Sequence, residues 1–326
     1  MPADTLIQQT ISRFPRWAQH QRSPEIEPVE KGGSDRNYYR LRGPDGDSLI
    51  LVKYGDSREE NRHYCAIAAF LAALGIHVPE IYFHDEAERL IGMQDLGEID
   101  LWASRDEPWP RRRALYALAL DELAALHAFA HSAHAQAEIP LQAGFNADLY
   151  RWEQNYFFEN CLGRFFGITD PACDREALEQ IALALDGKPS VLVHRDFQSQ
   201  NILLHGKHAH LIDFQGLRAG LPGYDLASLI YDPYVTLAAA EREELVHLYL
   251  EKCIDLGMEI PADFHATLDL CAMQRLMQAL GAYGFLGLVK GRTQFLAHIP
   301  AALASLREVA ARIPTLRDFP KLLEKL

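Results

Sequence analysis

The stretch Val193-His194-Arg195-Asp196-Phe197-Gln198-Ser199-Gln200-Asn201 decides how this chain is read, together with Ile212-Asp213-Phe214-Gln215-Gly216 downstream. The first lies between two short apolar runs, Val191-Leu192-Val193 and Ile202-Leu203-Leu204, so it reads as a loop joining strands. It carries a carboxylate, Asp196, five residues ahead of a carboxamide, Asn201. A third run, His210-Leu211-Ile212, closes a hairpin with the second and delivers Asp213 twelve residues after Asn201. Asp196 can orient a hydroxyl and accept its proton. Asn201 and Asp213 offer hard oxygen atoms of the kind magnesium prefers. Either aspartate alone could simply cap a turn. Two such segments at this separation, with apolar strands between them, favour a joint chemical role.

The flanking sequence divides into two textures. Residues 5–19 carry apolar side chains at helical spacing. Residues 25–54 read as strands, with Tyr38-Tyr39-Arg40-Leu41 and Leu49-Ile50-Leu51-Val52 flanking the turn Gly43-Pro44-Asp45-Gly46. A helix over 57–74 is stopped by Gly75, and short strands follow over 80–84 and 90–94. From residue 98 the pattern is mainly helical, over 110–130, 146–166, 175–185, 237–256 and 263–288, with Pro110 placed in a first turn. The expected fold class is α+β. A small β-rich lobe spans 1–96, a larger mainly helical lobe spans 97–326, and a cleft between them is the natural ligand site.

The decisive loop resembles the HRDxxxxN catalytic loop of kinases, and Ile212–Gly216 resembles their DFG site with Gln215 in the glycine position. That resemblance implies Asp196 as the catalytic base and Asn201 and Asp213 as magnesium ligands. It implies Lys53, ending the run Leu49-Ile50-Leu51-Val52-Lys53, as the lysine on the α- and β-phosphates, with Glu60 or Glu59 as its partner. Lys31-Gly32-Gly33-Ser34 is a small-residue turn whose backbone N–H groups can approach phosphates, so Gly32, Gly33 and Ser34 join the nucleotide set. Gln94 and Leu96 fall in the connector expected to meet adenine. The short interval between Asp213 and Pro222-Gly223-Tyr224-Asp225 leaves no room for a long activation segment that would hold a peptide.

Over residues 25–310 the chain resembles the aminoglycoside phosphotransferase and choline kinase superfamily, whose fold is protein-kinase-like. Within it, the two motifs, Ala272-Met273-Gln274-Arg275-Leu276-Met277-Gln278-Ala279-Leu280-Gly281 and Phe295-Leu296-Ala297-His298-Ile299-Pro300 resemble the bacterial N-acetylmuramate and N-acetylglucosamine anomeric kinases. The connector departs from that branch, which often carries an acidic residue where Gln94 precedes Asp95. The resemblance implies ATP and Mg2+, phosphorylation of an anomeric hydroxyl in cell-wall sugar recycling, and Asp225 as a brace under the catalytic loop. Gln274, Arg275 and Arg292 are the acceptor candidates, with Lys290 nearby. An aminoglycoside, choline or other amino-alcohol acceptor stays open. A nucleotide-binding regulatory protein without turnover is disfavoured by the presence of Asp196, Asp213 and Lys53 together.

The whole-chain numbers fit this frame. The 326 residues are 48% apolar and carry a formal net charge of −13. The longest basic cluster is Arg111-Arg112-Arg113, so nucleic-acid and anionic-membrane binding are not expected. The five cysteines are widely spaced with no CxxC pair, the N-terminal segment lacks a secretory apolar stretch, and a cytoplasmic protein is expected. His127, His131 and His134 share a helical face but lack the further ligands a zinc site needs. The aromatic residues Tyr150, Trp152, Tyr156, Phe157, Phe158, Phe165 and Phe166 read as core or as a wall of the acceptor lobe.

Overall fold

The computed structural model describes residues 3–14, 17, 24–29, 36–43, 46–56, 60–137, 139, 141–169 and 173–326. Helix α1 (Ala3–Arg13) precedes an antiparallel sheet of β1 (Glu25–Val29), β2 (Asn37–Arg42), β3 (Ser48–Lys53), β4 (Ile81–Asp85) and β5 (Leu90–Gln94). The spatial order is β1-β2-β3-β5-β4. Strand alternation sends Leu41, Leu49 and Leu51 to one face, where Leu6, Phe14 and Trp17 cover them. Ile50 and Val52 face the other way, into the main core with helix α2 (Glu60–Ala73). Helix α1 ends at Arg13, with Phe14 outside it and Trp17 again helical, and the other residues of the expected helix beyond Phe14 lie outside the described ones.

After β5 the chain enters the connector. Buried Arg40 on β2 donates to Asp95 at 2.8 Å and pairs with Glu98, fastening the connector to the sheet. A short 3-10 turn, Leu101–Ser104, starts with Asp100 accepting from Ala103 N–H at 2.8 Å. Among the described residues, the rest is mainly helical, with two small ladders. Helix α3 (Trp109–Ala137) runs further than the expected 130. Helix α4 (Ala147–Phe157), capped by Asn146, gives way to a π-helical turn over Phe158–Phe165. Helix α5 (Arg175–Asp186) leads to β6 (Val191–Val193), then to the hairpin β7 (Ile202–His205) and β8 (His208–Leu211). Strand β9 (Arg218–Gly220) pairs with β6. Helices α6 (Pro222–Ile230), α7 (Ala239–Asp255), α8 (Phe264–Gly284), α9 (Ile299–Ala311) and α10 (Phe319–Glu324) complete the chain. The architecture is the α+β, two-lobed arrangement expected from the sequence.

Helix α8 is the hub of the helical lobe, packed on α4, α6 and α9. Its close approach to α4 and to the π-helical turn after it requires glycine. A Cβ at Gly281 would stand 2.8 Å from the Tyr156 carbonyl carbon, and one at Gly284 would stand 2.2 Å from the Asn160 carbonyl oxygen. Among the described residues, no helix is long and apolar enough to cross a membrane.

Candidate active site

Two buried carboxylates hold the Asp196 loop from below. Asp225, in the first turn of α6, accepts from His194 N–H at 2.6 Å and from Arg195 N–H at 2.8 Å. Asp232, just past the end of α6, accepts from the Ser199 N–H at 2.8 Å and the Ser199 hydroxyl at 2.5 Å. One helix thus fixes both halves of the loop. Between them, Asn201 donates its amide Nδ2 to the Asp196 carbonyl at 2.9 Å. Buried His127 stands behind Asp225, 3.3 Å away, with its other ring nitrogen 2.8 Å from the Tyr249 hydroxyl. His127 is therefore part of the brace. The side chains of His131 and His134 lie outside the described residues.

Asp213 is brought to the same cleft by β8. Its φ of +63° and the φ of +78° at Arg195 are left-handed values that non-glycine residues rarely adopt. Such strain, worth on the order of 1–3 kcal/mol per residue, collects at functional sites. Phe214 is fully buried and stacks on Tyr64 of α2 at 4.6 Å, which anchors the turn carrying Asp213. Asp213 Oδ1 accepts from Arg36 Nη2 at 2.8 Å and from Gln215 Nε2 at 2.7 Å.

The cleft holds about 970 Å³ and is lined by Asp196, Asn201 and Asp213 as well as by Gln94, Leu96 and Glu60. Ile50, Met93, Leu203 and Ile212 supply apolar walls near the connector. Gln94 N–H is committed to the Glu80 carbonyl at 2.8 Å. Gly32, Gly33, Ser34 and Glu59 lie outside the described residues.

Three expectations need correction. Lys53 falls on the odd-numbered face of β3 with Leu49 and Leu51, away from the cleft, and its ammonium donates to the Glu88 carbonyl. It therefore does not pair with Glu60, which lines the cleft from the opposite side of the sheet. Gln274 is adjacent to Arg275 on α8, and neighbouring helical positions point about 100° apart. Arg275 turns into the cleft while Gln274 is buried against Gln154, which donates to it at 3.2 Å. Among the described residues that line the cleft, Leu286 in the π-helical turn Phe285–Val289 and Phe295 beyond it are present, and Arg292 between them is not.

The part of the cleft beside helix α8 draws on Tyr234 and Tyr283, which the sequence did not single out. Phe295, from a segment quoted above, joins them there, whereas Phe157 at the end of α4 and Phe158 in the turn after it pack against Phe319. Around Asp196 stand three guanidiniums. Arg195 Nη1 donates to its Oδ2 at 2.9 Å, Arg275 Nη2 lies 3.5 Å from its Oδ1, and Arg218 lines the same cleft. Arg275 is nearly buried and is held by the Ser228 hydroxyl at 2.8 Å and by Gln278. Burial alone would raise the Asp196 carboxyl, but the fields of Arg195 and Arg275 outweigh it and hold it below the usual carboxylate range. Glu153 lies beneath this group and receives the Tyr224 hydroxyl at 2.5 Å. Burial pushes it up to about 7 despite the same arginines.

Similarity to known proteins agrees with this geometry. The phosphotransferase enzyme family matches residues 25–262. The chain is 27% identical over 306 residues to an N-acetylmuramate/N-acetylglucosamine kinase of Pseudomonas putida, covering 90% of this chain and 86% of that one. It is 27% identical over 322 residues to a protein of the same name from Pseudomonas aeruginosa, covering 93% and 88%. A choline/ethanolamine kinase family protein from Mesorhizobium loti superposes over 98% of each chain with a TM-score of 0.61 at 18% identity, a likeness of fold. The chain belongs to the phosphotransferase enzyme family: it is an enzyme that transfers phosphate to a hydroxyl acceptor.

Proposed function

We propose that this enzyme uses ATP to phosphorylate the anomeric hydroxyl of N-acetylmuramate or N-acetylglucosamine in the cytoplasm. The observation that carries the reading is Asp196 held between Arg195 and Arg275. A carboxylate stabilised in its charged form is a weak base. It suits a hemiacetal hydroxyl, which is more acidic than an ordinary alcohol. Three guanidiniums beside the acceptor position also oppose a cationic choline or aminoglycoside and tolerate a neutral or anionic sugar. The names of the two Pseudomonas relatives support the same acceptor. A place in cell-wall sugar recycling follows from the sequence resemblance.

We assign residues 1–96 to nucleotide binding and 97–326 to catalysis and the acceptor. Asp196 orients the sugar hydroxyl and takes its proton as the bond to phosphorus forms. Ile50, Met93, Leu203 and Ile212 sandwich the adenine. With Gln94 N–H already engaged, Leu96 is the main-chain position that meets the base. Asn201 donates its Nδ2 to a carbonyl, which orients its amide oxygen as the remaining polar end, and Asp213 supplies carboxylate oxygen. This all-oxygen donor set fits magnesium, and these two residues would hold it. The ion would neutralise charge on the phosphates, while the protein positions both substrates.

The test is a magnesium-ATP transfer assay against N-acetylmuramate, N-acetylglucosamine, choline and kanamycin. Product is expected from the two amino sugars and not from their reducing-end methyl glycosides. Asp196→Asn should reduce turnover by about 10²–10⁴-fold. Transfer to choline or kanamycin alone would remove the sugar assignment.

A further inference from the structure

We infer that Arg36 is the positioning cation for the nucleotide phosphates, in place of the strand lysine, and that without nucleotide it serves as a latch on Asp213. The inference rests on the nucleotide reading above and on four observations. Lys53 turns away from the cleft and is engaged by Glu88, so the end of β3 delivers no cation to the phosphates. Arg36 lines the cleft at the foot of β2, two and four residues before Tyr38 and Arg40, which line it too. Its side chain is only 7% exposed, yet its guanidinium reaches across the lobes to Asp213 Oδ1 at 2.8 Å. That carboxylate also receives Gln215 at 2.7 Å, so two donors hold one of the oxygens assigned to the metal.

The electrostatics make this an exchange rather than a fixed pair. A metal at Asp213 draws on the same carboxylate charge that holds Arg36. The incoming polyphosphate supplies new anionic oxygens, and a guanidinium matches phosphate through paired N–H donors. Arg36 thus passes from Asp213 to phosphate with its charge always paired. In the absence of nucleotide the latch neutralises Asp213 and ties the sheet lobe to the helical lobe.

Binding measured by calorimetry tests this on the full chain without turnover. Arg36→Met should weaken magnesium-ATP and magnesium-ADP by about 10–100-fold and leave adenosine unchanged, whereas Arg36→Lys should stay within a few-fold of the native chain. Lys53→Met should leave all three ligands unaffected. Manganese(II), titrated without nucleotide and followed by its electron paramagnetic resonance, should bind Arg36→Met more tightly because its competitor is gone. Unchanged ATP affinity in Arg36→Met would overturn the inference, as would parallel weakening of adenosine, which marks a merely structural role. Unchanged manganese affinity removes the latch. Failure of the native chain to bind magnesium-ATP would remove the nucleotide reading itself, and this inference with it.

Discussion

Asp196 and Glu153 are neighbours in one cluster of arginines, and they titrate in opposite directions for reasons visible in their contacts. Asp196 lies within 2.9 Å of one guanidinium and 3.5 Å of another, so its charged form is favoured. It stays deprotonated through the neutral range. With Asp196 as the proposed base, the acid limb of kcat/KM should lie below the ordinary carboxylate value of about 4. Arg275→Gln removes one of those fields and should move that limb upward in a pH–rate profile, as well as raising KM. An unmoved limb would mean that Arg195 alone sets the base. Glu153 instead sits fully buried with the Tyr224 hydroxyl on one oxygen, and burial lifts it to about 7. The folded chain then holds a proton that the unfolded chain releases near pH 4.5. Unfolding free energy from this group therefore falls as pH rises from about 4.5 to 7. Glu153→Gln keeps an acceptor for Tyr224 and carries no charge. Its thermal stability relative to the native chain should rise between pH 5 and pH 8, by up to about 3 kcal/mol. A difference independent of pH would show that Glu153 does not titrate in this window.

Helix α8 shows what an element contributes and what its sequence conceals. It presents Arg275 to the cleft from one face and on another meets α4 through Gly281 and the following π-helical turn through Gly284. Gly284→Ala drives a methyl group into the Asn160 carbonyl, a backbone atom that cannot step aside. Overpacking of this kind costs about 1–3 kcal/mol or more. The midpoint of thermal unfolding should drop by several degrees, and KM for the hydroxyl acceptor should rise as Arg275 shifts with the helix. The same helix explains an expectation that failed. Nearly every position from Cys271 to Gly284 is buried, so no polar stripe reveals its phase, and Gln274 looked as eligible as Arg275. Strand β3 hid its phase likewise. Leu49-Ile50-Leu51-Val52 is apolar on both faces because α1 covers one and the main core the other, so the direction of Lys53 was not legible. A usable signal did exist one strand earlier. Arg36, Tyr38 and Arg40 alternate with period two, the mark of a strand lining a polar cleft. The Asp196 loop, the turn to Asp213 and the hairpin between them were legible because motif spacing and strand boundaries coincide there. The π-helical turns after α4 and α8 were not, since such an irregularity leaves no mark on apolar spacing.

At the scale of the molecule, charge is arranged against its own average. The chain carries 45 acidic and 32 basic Lys/Arg side chains, a net of −13, yet Arg195, Arg218 and Arg275 gather around Asp196 in the cleft. An anionic acceptor is repelled by the surface and welcomed inside, while a neutral acceptor of the same size feels neither field. Salt separates these two influences. The Debye length is about 10 Å at 0.1 M ionic strength, so distant surface charges are screened while the enclosed pairs around Asp196 are screened much less. N-acetylmuramate carries a carboxylate and N-acetylglucosamine does not, and both share the nucleotide, so their KM ratio cancels any effect of salt on ATP. Raising ionic strength from about 0.02 M to 0.3 M should lower KM for N-acetylmuramate relative to N-acetylglucosamine by a few-fold, with both kcat values nearly constant. The opposite trend, a ratio that climbs with salt, would mean that the arginines attract the acceptor through open solvent. The Asp196 end of the cleft would then be more exposed during binding than its half-buried side chains imply.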